Sequence, residues 1–373
     1  MPKLALVTGG AGLIGSHLSD LLVSEGWSVR ALDNLETQTH GAGRPGWLNP
    51  SAELIQADVT DPRVLDSALA GVDTVFHLAA YGGYMPELAK FVDVNSGGTA
   101  RLLETIRDRG HRVRKLVIAS SQAVYVEGAV ECPRHGLRFP PRRSPVDMAE
   151  GRFEVPCPDC GGPARSVPTP EHAPTGGETV YALTKFDQER LALMWSRQVG
   201  IPAVALRLAC TYGPRQSVHN PYTGVISIFC TRLLNGLPPL LYEDGEQTRD
   251  LCYVGDVARG FLLAAESARL DGLAVNFGTG WPTSVRALAE GLAALLGTRI
   301  APELAGAFRP GEMRALTPDT HLAATAGLGA EVTLEDGLVR YVGWLRRQGT
   351  VTERFTESLA GLRSRGMVQE VGS

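Results

Sequence analysis

Three short stretches of this chain, met in order, carry residue types that can do chemistry together. Tyr181-Ala182-Leu183-Thr184-Lys185 sets a phenol and an ammonium four residues apart, which on a helix is one face and one turn. Val117-Ile118-Ala119-Ser120-Ser121 ends an apolar run in two hydroxyls. Thr8-Gly9-Gly10-Ala11-Gly12-Leu13-Ile14-Gly15 is a glycine loop after an apolar run. A phenol ordinarily titrates near ~10, so it works as a base around neutral pH only with positive charge beside it. A loop that holds a dinucleotide, a serine and this Tyr/Lys pair make a hydride-transfer site acting on an alcohol.

The elements that must position these groups are legible from pattern. Residues 3–8 read as a buried strand, and Leu13, Ile14, Leu18, Leu21 and Leu22 then recur at helical spacing. Between them Gly9, Gly12 and Gly15 allow a tight turn and close approach of backbone to a pyrophosphate at the helix N-terminus. Residues 29–32 read as a second strand closed by Asp33, at the distance of a ribose-binding acid, with Asn34 next. A carboxylate there favours a free 2′-hydroxyl over a 2′-phosphate, and so NAD over NADP. Residues 53–57 read as a third strand ending in Asp58-Val59, suited to an adenine edge and face. Residues 75–80 read as a fourth, with Leu78 followed by the small residues Ala79 and Ala80 at its end. His77 reads as a strand residue and not a catalyst. Asn95, in the helical stretch 91–107, reads as a buried polar group ordering sheet and site, and is counted with the cofactor-binding residues.

With these motifs the chain resembles the extended short-chain dehydrogenase/reductases, the family of nucleotide-sugar epimerases, dehydratases and decarboxylases. The likeness runs over residues 3–348 and includes Tyr212-Gly-Pro-Arg-Gln216 and Asp244-Gly-Glu-Gln-Thr-Arg-Asp250. It implies Tyr181 as acid/base, and Lys185 lowering its pKa and holding the nicotinamide ribose. Ser121 then orients the sugar hydroxyl, and Ser120 lies against the nicotinamide. It also implies that Arg249 and Arg309 clamp the diphosphate, a task for which a planar guanidinium suits better than a point ammonium. Tyr81, Ser121 and Gln122 complete the expected substrate contacts. Arg314 reads as either a third member of that set or a surface arginine. His219-Asn220-Pro221-Tyr222-Thr223-Gly224 and Tyr81-Gly82-Gly83-Tyr84-Met85-Pro86 are expected at the base or sugar pocket. Relatives often carry Asn at the position of Cys210.

Dehydratases of the family carry Asp-Glu after the serine or threonine, and decarboxylases a glutamate at the second of those positions. Here the positions hold Gln122 and Ala123, which can do neither task. Asp33 argues against a dissociable NADPH. What remains is redox-neutral inversion at C4 with retained NAD, and the overall pattern most resembles the dTDP-L-rhamnose 4-epimerase branch. A 4-ketoreductase or oxidoreductase, and a non-catalytic NAD-binding scaffold or sensor, stay open as alternatives.

Residues 126–179 form an insertion between serine and tyrosine, rich in Pro, Arg and Gly. Cys132-Pro-Arg-His135 and Cys157-Pro-Asp-Cys160 suit a tetrahedral structural zinc of the ribbon kind, and four protein ligands leave no open position for catalysis. A loop with unpaired thiols, or a Cys157/Cys160 redox pair, are the other readings. Cys210, Cys230 and Cys252 sit among apolar neighbours and read as buried thiols.

Strands alternating with helices through the first half predict a Rossmann-type α/β fold, a doubly wound parallel sheet with a smaller C-terminal α/β substrate lobe. The divisions expected are 1–206 for the NAD-binding domain with its insertion, 207–349 for the substrate lobe with some segments returning to the sheet, and 350–373 for an amphipathic helix with a frayed end. The 373 residues, 44% hydrophobic, suffice for a large core, and a net charge of −4 makes no case for nucleic acid. No apolar run is long enough to span a membrane, and no signal peptide precedes the first strand. The cysteine pattern fits a reducing cytoplasm. Family members commonly dimerise through two helices, and Leu183, Phe186, Leu191, Leu193, Met194 and Trp195 could face either core or partner. The expected association is therefore a homodimer.

Overall fold

The computed structural model describes residues 2–41, 43–83, 85–177, 179–218, 220–222 and 224–372. Tyr84, His219 and Thr223, expected at the substrate pocket, lie outside the described residues. Seven strands form one parallel sheet: β1 (Leu4–Thr8), β2 (Ser28–Asp33), β3 (Glu53–Gln56), β4 (Thr74–His77), β5 (Lys115–Ser121), β6 (Ala203–Leu208) and β7 (Ala274–Phe277). Their spatial order is β7-β6-β5-β4-β1-β2-β3. This is the doubly wound arrangement, whose ligand crevice opens at the carboxyl ends of the strands where the order reverses.

The strands alternate faces at every residue, and both faces are covered. Ala5, Val7, Val117, Val204 and Leu206 pack with Leu18, Leu22 and Phe261 on one side. Leu6, Leu116, Ile118, Ala203 and Ala205 pack with Leu65, Leu102 and Trp195 on the other. A third cluster, around Tyr212, Phe229, Leu288, Leu292 and Tyr341, is the core of the C-terminal lobe. The strand of Ala274–Phe277 leaves that lobe and pairs with β6, so the sheet is completed from the second half of the chain.

Three helices hold site residues in place: α1 (Leu13–Ser24), α2 (Gly98–Asp108) and α3 (Val180–Val199). Thr179 caps α3, accepting from the N–H of Ala182, and Gly200 ends it in the left-handed conformation. The predicted helix over 91–107 contains a π-helical segment, Val92–Gly97, before α2 begins. The fourth strand ends at His77, three residues earlier than predicted, because Leu78 and Ala79 turn their N–H groups onto the Thr8 hydroxyl.

Two further corrections concern the chain's periphery. The predicted frayed C-terminal helix is a helix over Phe355–Ser364 followed by the strand Gln369–Glu370, which pairs antiparallel with Ala307–Phe308. Gly366, at φ 69°, reverses the chain, and Val368 and Leu362 are buried against Ala307. The insertion is not a free loop either. Val130–Cys132 pairs with Gly136–Arg138 and with Arg165–Ser166, and Arg143 enters the lobe as a fork onto Glu243 (Nη1–Oε2 2.8 Å, Nη2–Oε1 2.9 Å). Arg314 is buried in the same network, bonded to Asp244, Glu154 and Glu243, so it is neither a surface residue nor a cavity residue.

A separate buried network ties α3 to the sheet. Glu189 on α3 accepts both Nε and Nη2 of Arg207 on β6 (2.9 and 2.7 Å) and the hydroxyl of Ser120 on β5 (2.7 Å). Breaking a buried pair strands an uncompensated charge. Glu189→Ala is therefore expected to lower unfolding free energy by about 3–5 kcal/mol, read as a fall in the urea midpoint.

Candidate active site and Cys/His cluster

The carboxyl ends of the strands open into a cavity of about 1030 Å³, running from the glycine loop to the C-terminal lobe. At one end α1 starts without a side-chain cap, so its first N–H groups face the cavity. Gly15 is compulsory there: a Cβ would sit 2.1 Å from the Gly9 carbonyl oxygen, too close for any side chain. Gly9, Gly12, Leu13, Ile14 and Gly15 all line this end. Asp33 points across the loop, each carboxylate oxygen taking one N–H, from Ala11 (2.9 Å) and Leu35 (2.8 Å). The remaining lone pairs can accept ribose hydroxyls. Asn34 donates to Asp58 (2.9 Å), and Asp58 and Val59 line the adjoining wall with Leu78, Ala79 and Ala80. An uncapped helix start, a carboxylate with spare lone pairs and a glycine-floored channel suit a dinucleotide.

In the middle of the cavity Tyr181 and Ser121 meet. Burial raises the Tyr181 phenol, and a hydrogen bond with Ser121 acts in the opposite direction. Lys185, one turn along α3, is buried and donates to Gln188 Oε1 at 2.7 Å. Desolvation brings its ammonium down to about 7, with Glu189 opposing. An ammonium has three donors, so Lys185 can hold ribose hydroxyls besides Gln188. Ser120 lines the cavity while its hydroxyl is turned to Glu189. Gln122 is 2% exposed, and neither its Oε1 nor its Nε2 has a hydrogen-bond partner, which leaves both to a polar ligand. Tyr81 lines the wall opposite, its hydroxyl bonded to Glu87 and the Lys90 ammonium 4.6 Å from its ring centre.

Asn95 is a buried polar group that orders the site, as its sequence reading had it, but it does not line the cavity with the cofactor-binding residues it was counted among. Its amide is spent on the backbone of Tyr81 (2.7 and 2.9 Å) and on Thr184 Oγ1 (3.0 Å), so it stands behind the cavity and orients what faces it. The π-helical turn supplies that aim, as such turns often do at functional sites. Cys210 also differs from the buried thiol expected: it lies two residues past the end of β6, lines the cavity and is partly exposed. Cys230 and Cys252 are buried.

At the far end Arg249 and Arg309 line the cavity. Arg249 donates to Glu312 (2.6 Å), and Arg309 lies over the Tyr242 ring. Three contributors have no sequence signal: Arg142 from the insertion, and Phe355 and Met367 from the C-terminal segment. They come from the insertion and from the terminal helical segment, where no spacing ties them to the site, and only the folded chain brings them here. Gln188 could have been anticipated from its spacing three residues after Lys185.

Away from the cavity, the ligand atoms of Cys132, His135, Cys157 and Cys160 lie within 4.8 Å of one another. The closest separations are 3.4 Å for Cys157 Sγ to His135 Nδ1, 3.6 Å for Cys132 Sγ to His135 Nδ1 and 3.9 Å for Cys132 Sγ to Cys160 Sγ. A tetrahedral ion with Zn–S of about 2.3 Å and Zn–N of about 2.05 Å sets such pairs about 3.6–3.8 Å apart. Gly136 and Gly161, both at positive φ, turn the chain after each pair. Burial raises the Cys157 thiol, but the N–H groups of Asp159 and Cys160, with His135, outweigh it and bring the thiol down to about 6. That favours a thiolate, the metal-binding form.

Comparisons with known proteins agree with this geometry. The model of the NAD dependent epimerase/dehydratase family matches residues 5–145 and 160–278. A dTDP-L-rhamnose 4-epimerase of Burkholderia thailandensis is 34% identical over 93% of this chain and 96% of its own length. Among solved structures, UDP-glucose 4-epimerase of Thermotoga maritima with UDP-glucose superposes with a TM-score of 0.75 at 30% identity, over 93% of this chain and 99% of that one. The Thermus thermophilus UDP-glucose 4-epimerase in complex with NAD does so at 0.70 and 29%, over 92% and 99%.

His77 yields a prediction from this geometry. It is fully buried between Thr8 Oγ1 and Thr99 Oγ1 (2.8 Å each), and burial, with the Lys185 charge, lowers its pKa from 6.5 to about 3. A lowered folded pKa gives stability that is present above 6.5 and lost as pH falls toward 3. His77 is expected to contribute a slope of about 1.4 kcal/mol per pH unit across that window. Urea midpoints measured from neutral to acid pH should fall less steeply in a His77→Gln variant.

Proposed function

Because the chain belongs to the NAD dependent epimerase/dehydratase family, we propose that it is an NAD-dependent nucleotide-sugar 4-epimerase, inverting C4 of a nucleotide-diphosphate hexose. The observation that carries this reading is a single acid/base, Tyr181 beside Ser121 in the cavity, with Gln122 and Ala123 following Ser121 where eliminating relatives need acids. One group that takes a proton and gives it back is what inversion through a ketone requires.

Gly9, Gly12, Leu13, Ile14, Gly15, Asp33, Asn34, Asp58 and Val59 are the proposed holders of the adenosine and pyrophosphate, with Ala79, Ala80, Ser120 and Lys185 at the nicotinamide end. When bound there, NAD supplies the hydride acceptor and donor. Tyr181 takes the proton from the sugar 4-hydroxyl, which Ser121 orients. The 4-keto sugar then turns about its link to the diphosphate, and Tyr181 returns the proton once the opposite face is presented. Lys185 keeps positive charge near the phenol. Gln122 and Tyr81 position the sugar, and Arg249 and Arg309 hold the diphosphate as the pivot. The sugar to test first is dTDP-L-rhamnose, on the likeness to the Burkholderia enzyme.

The Cys/His cluster is proposed to hold a structural zinc, closed by four protein ligands. We also propose a cytoplasmic homodimer. Among the described residues no helix is long and apolar enough to cross a membrane. Leu193 and Trp195 of α3 are in the core, whereas Leu183 and Met194 are 51% and 45% exposed. Leu88 and Val92, on helical turns in contact with α3, are exposed as well, and these four are the proposed apolar contacts for a second copy.

Proton NMR in D₂O with dTDP-L-rhamnose, UDP-glucose and UDP-glucuronate tests the activity. The expected result is a C4 epimer without added NAD and without deuterium at C4. Loss of water or carbon dioxide would overturn the reading. Tyr181→Phe is expected to lose about 10²–10⁴-fold in kcat while NAD content by absorbance stays unchanged. Elemental analysis is expected to find about one zinc per chain, lost in Cys157→Ser together with a lower Tm.

A further inference from the structure

The charge of the cavity is unevenly divided. At the glycine-loop end Asp33, Glu36 and Asp58 face Lys90 and Arg215, the latter paired with Asp20 of α1. At the far end Arg142, Arg249 and Arg309 share the wall with Glu312, the one acid there among the described lining residues. Arg249 and Arg309 belong to the C-terminal half. Arg142 belongs to the insertion, on the arm of residues 139–156 strung between the two halves of the Cys/His cluster.

The arm's grip on the cavity wall is specific. Arg142 Nη1 donates to the Gly311 carbonyl at 2.7 Å. Gly311 lies in the same turn as Arg309 and Glu312, and a Cβ there would come 2.8 Å from Arg142 Nη1 and 3.9 Å from Thr179 Cγ2. Thr179 is the cap of α3, two residues before Tyr181. The Arg142 guanidinium is thus held where the Arg309 turn meets the first turn of the Tyr181 helix, between the diphosphate clamp and the acid/base. The adjacent Arg143 makes this placement rigid. It is 7% exposed and bonded to Glu243, to the Glu312 carbonyl (2.6 Å) and to the Phe153 carbonyl (3.1 Å).

We propose that Arg142 is a third phosphate-binding arginine, donating to the sugar-side phosphate of the nucleotide-diphosphate sugar, and that a metal at the Cys/His cluster holds the arm that delivers it. The proposal rests on the nucleotide-sugar reading and deepens it. A guanidinium there does two things at once: it adds a charge-assisted donor to a doubly charged ligand, and it pins the phosphate about which the keto sugar turns. The cluster closes both ends of the arm, so it limits how far Arg142 can withdraw.

Calorimetric titration of the NAD-loaded protein with dTDP, dTMP and dTDP-L-rhamnose tests this, with UDP, UMP and UDP-glucose as the second series. Arg142→Gln is expected to weaken both diphosphate ligands by about 10–100-fold, with monophosphate binding, NAD content and Tm unchanged. Arg142→Lys should recover part of the loss, and Arg152→Gln, an exposed change on the same arm, should have no effect. Metal removal by chelation should weaken diphosphate binding in the wild type and add little in Arg142→Gln. Diphosphate binding left intact by Arg142→Gln overturns the arginine's role, and a loss confined to the sugar-bearing ligand overturns the phosphate assignment. A chelated wild type that binds diphosphates normally overturns the link to the metal. A wild type that binds no nucleoside diphosphate in either series overturns the nucleotide-sugar reading itself, and this proposal with it.

Discussion

The carboxylate of Glu189 is the joint on which the geometry of this site depends. It lies on α3, two turns beyond Tyr181, and is buried where an unpaired charge would be costly. Its two oxygens take the guanidinium fork of Arg207 from β6, and one of them also takes the hydroxyl of Ser120 from β5. Arg207 in turn donates to the Tyr125 hydroxyl (3.0 Å), which donates to Asn276 Oδ1 on β7 (2.7 Å). Three strands and the helix are thereby locked at one height. Interdigitated apolar packing already resists sliding of α3 along the sheet, and the ion pair adds a directional constraint. A bidentate ion pair does not slide. Ser121 follows Ser120 directly and Tyr181 sits two turns up the same helix, so their mutual approach is a consequence of this pair.

A second polar network does the corresponding work on the other side of the cavity. Arg143 and Arg314 enter one buried region with Glu127, Glu243 and Asp244, and a carboxylate or carbonyl answers each guanidinium. Arg143 comes from the insertion and Glu243 from the C-terminal lobe, so the network is what makes the insertion part of the wall. The C-terminal segment closes the same lobe from outside, through the strand Gln369–Glu370 and the burial of Leu362 and Val368. The substrate end of the cavity is therefore assembled from three pieces far apart in the chain, whereas the cofactor end comes almost wholly from consecutive strand–turn–helix units.

That contrast explains how much was legible beforehand. The strands carrying Asp33 and Ser121, and the one leading to Asp58, announce themselves by apolar runs ending at turns, and the Tyr181/Lys185 pair by a spacing that means one helical face. These are local rules, and the sheet obeyed them to within a residue or three at the ends. Asn95 was recognised as a buried polar group, but its target could not be read, because a π-helical turn shifts its aim onto the Tyr81 backbone. Cys210 looked apolar by its neighbours, yet it lies just past the end of β6, at the cavity. Arg314 looked like a loop arginine beside Arg309, and only the approach of Glu243 and Asp244 puts it in the interior.

The sequence by itself determined the class of sheet, the glycine loop, a tyrosine and a lysine on one helical face with a serine at a strand end, and the two cysteine-bearing knuckles. Each of these depends on residues within a turn or two of one another, where backbone geometry alone relates side chains. Only the tertiary structure decided that the four ligand atoms of those knuckles converge, and that Arg142 reaches the cavity while Arg314 does not. It also decided that Phe355 and Met367 line the pocket wall. Those outcomes depend on long-range burial and charge pairing, which stabilise one arrangement among many that a loop sequence permits.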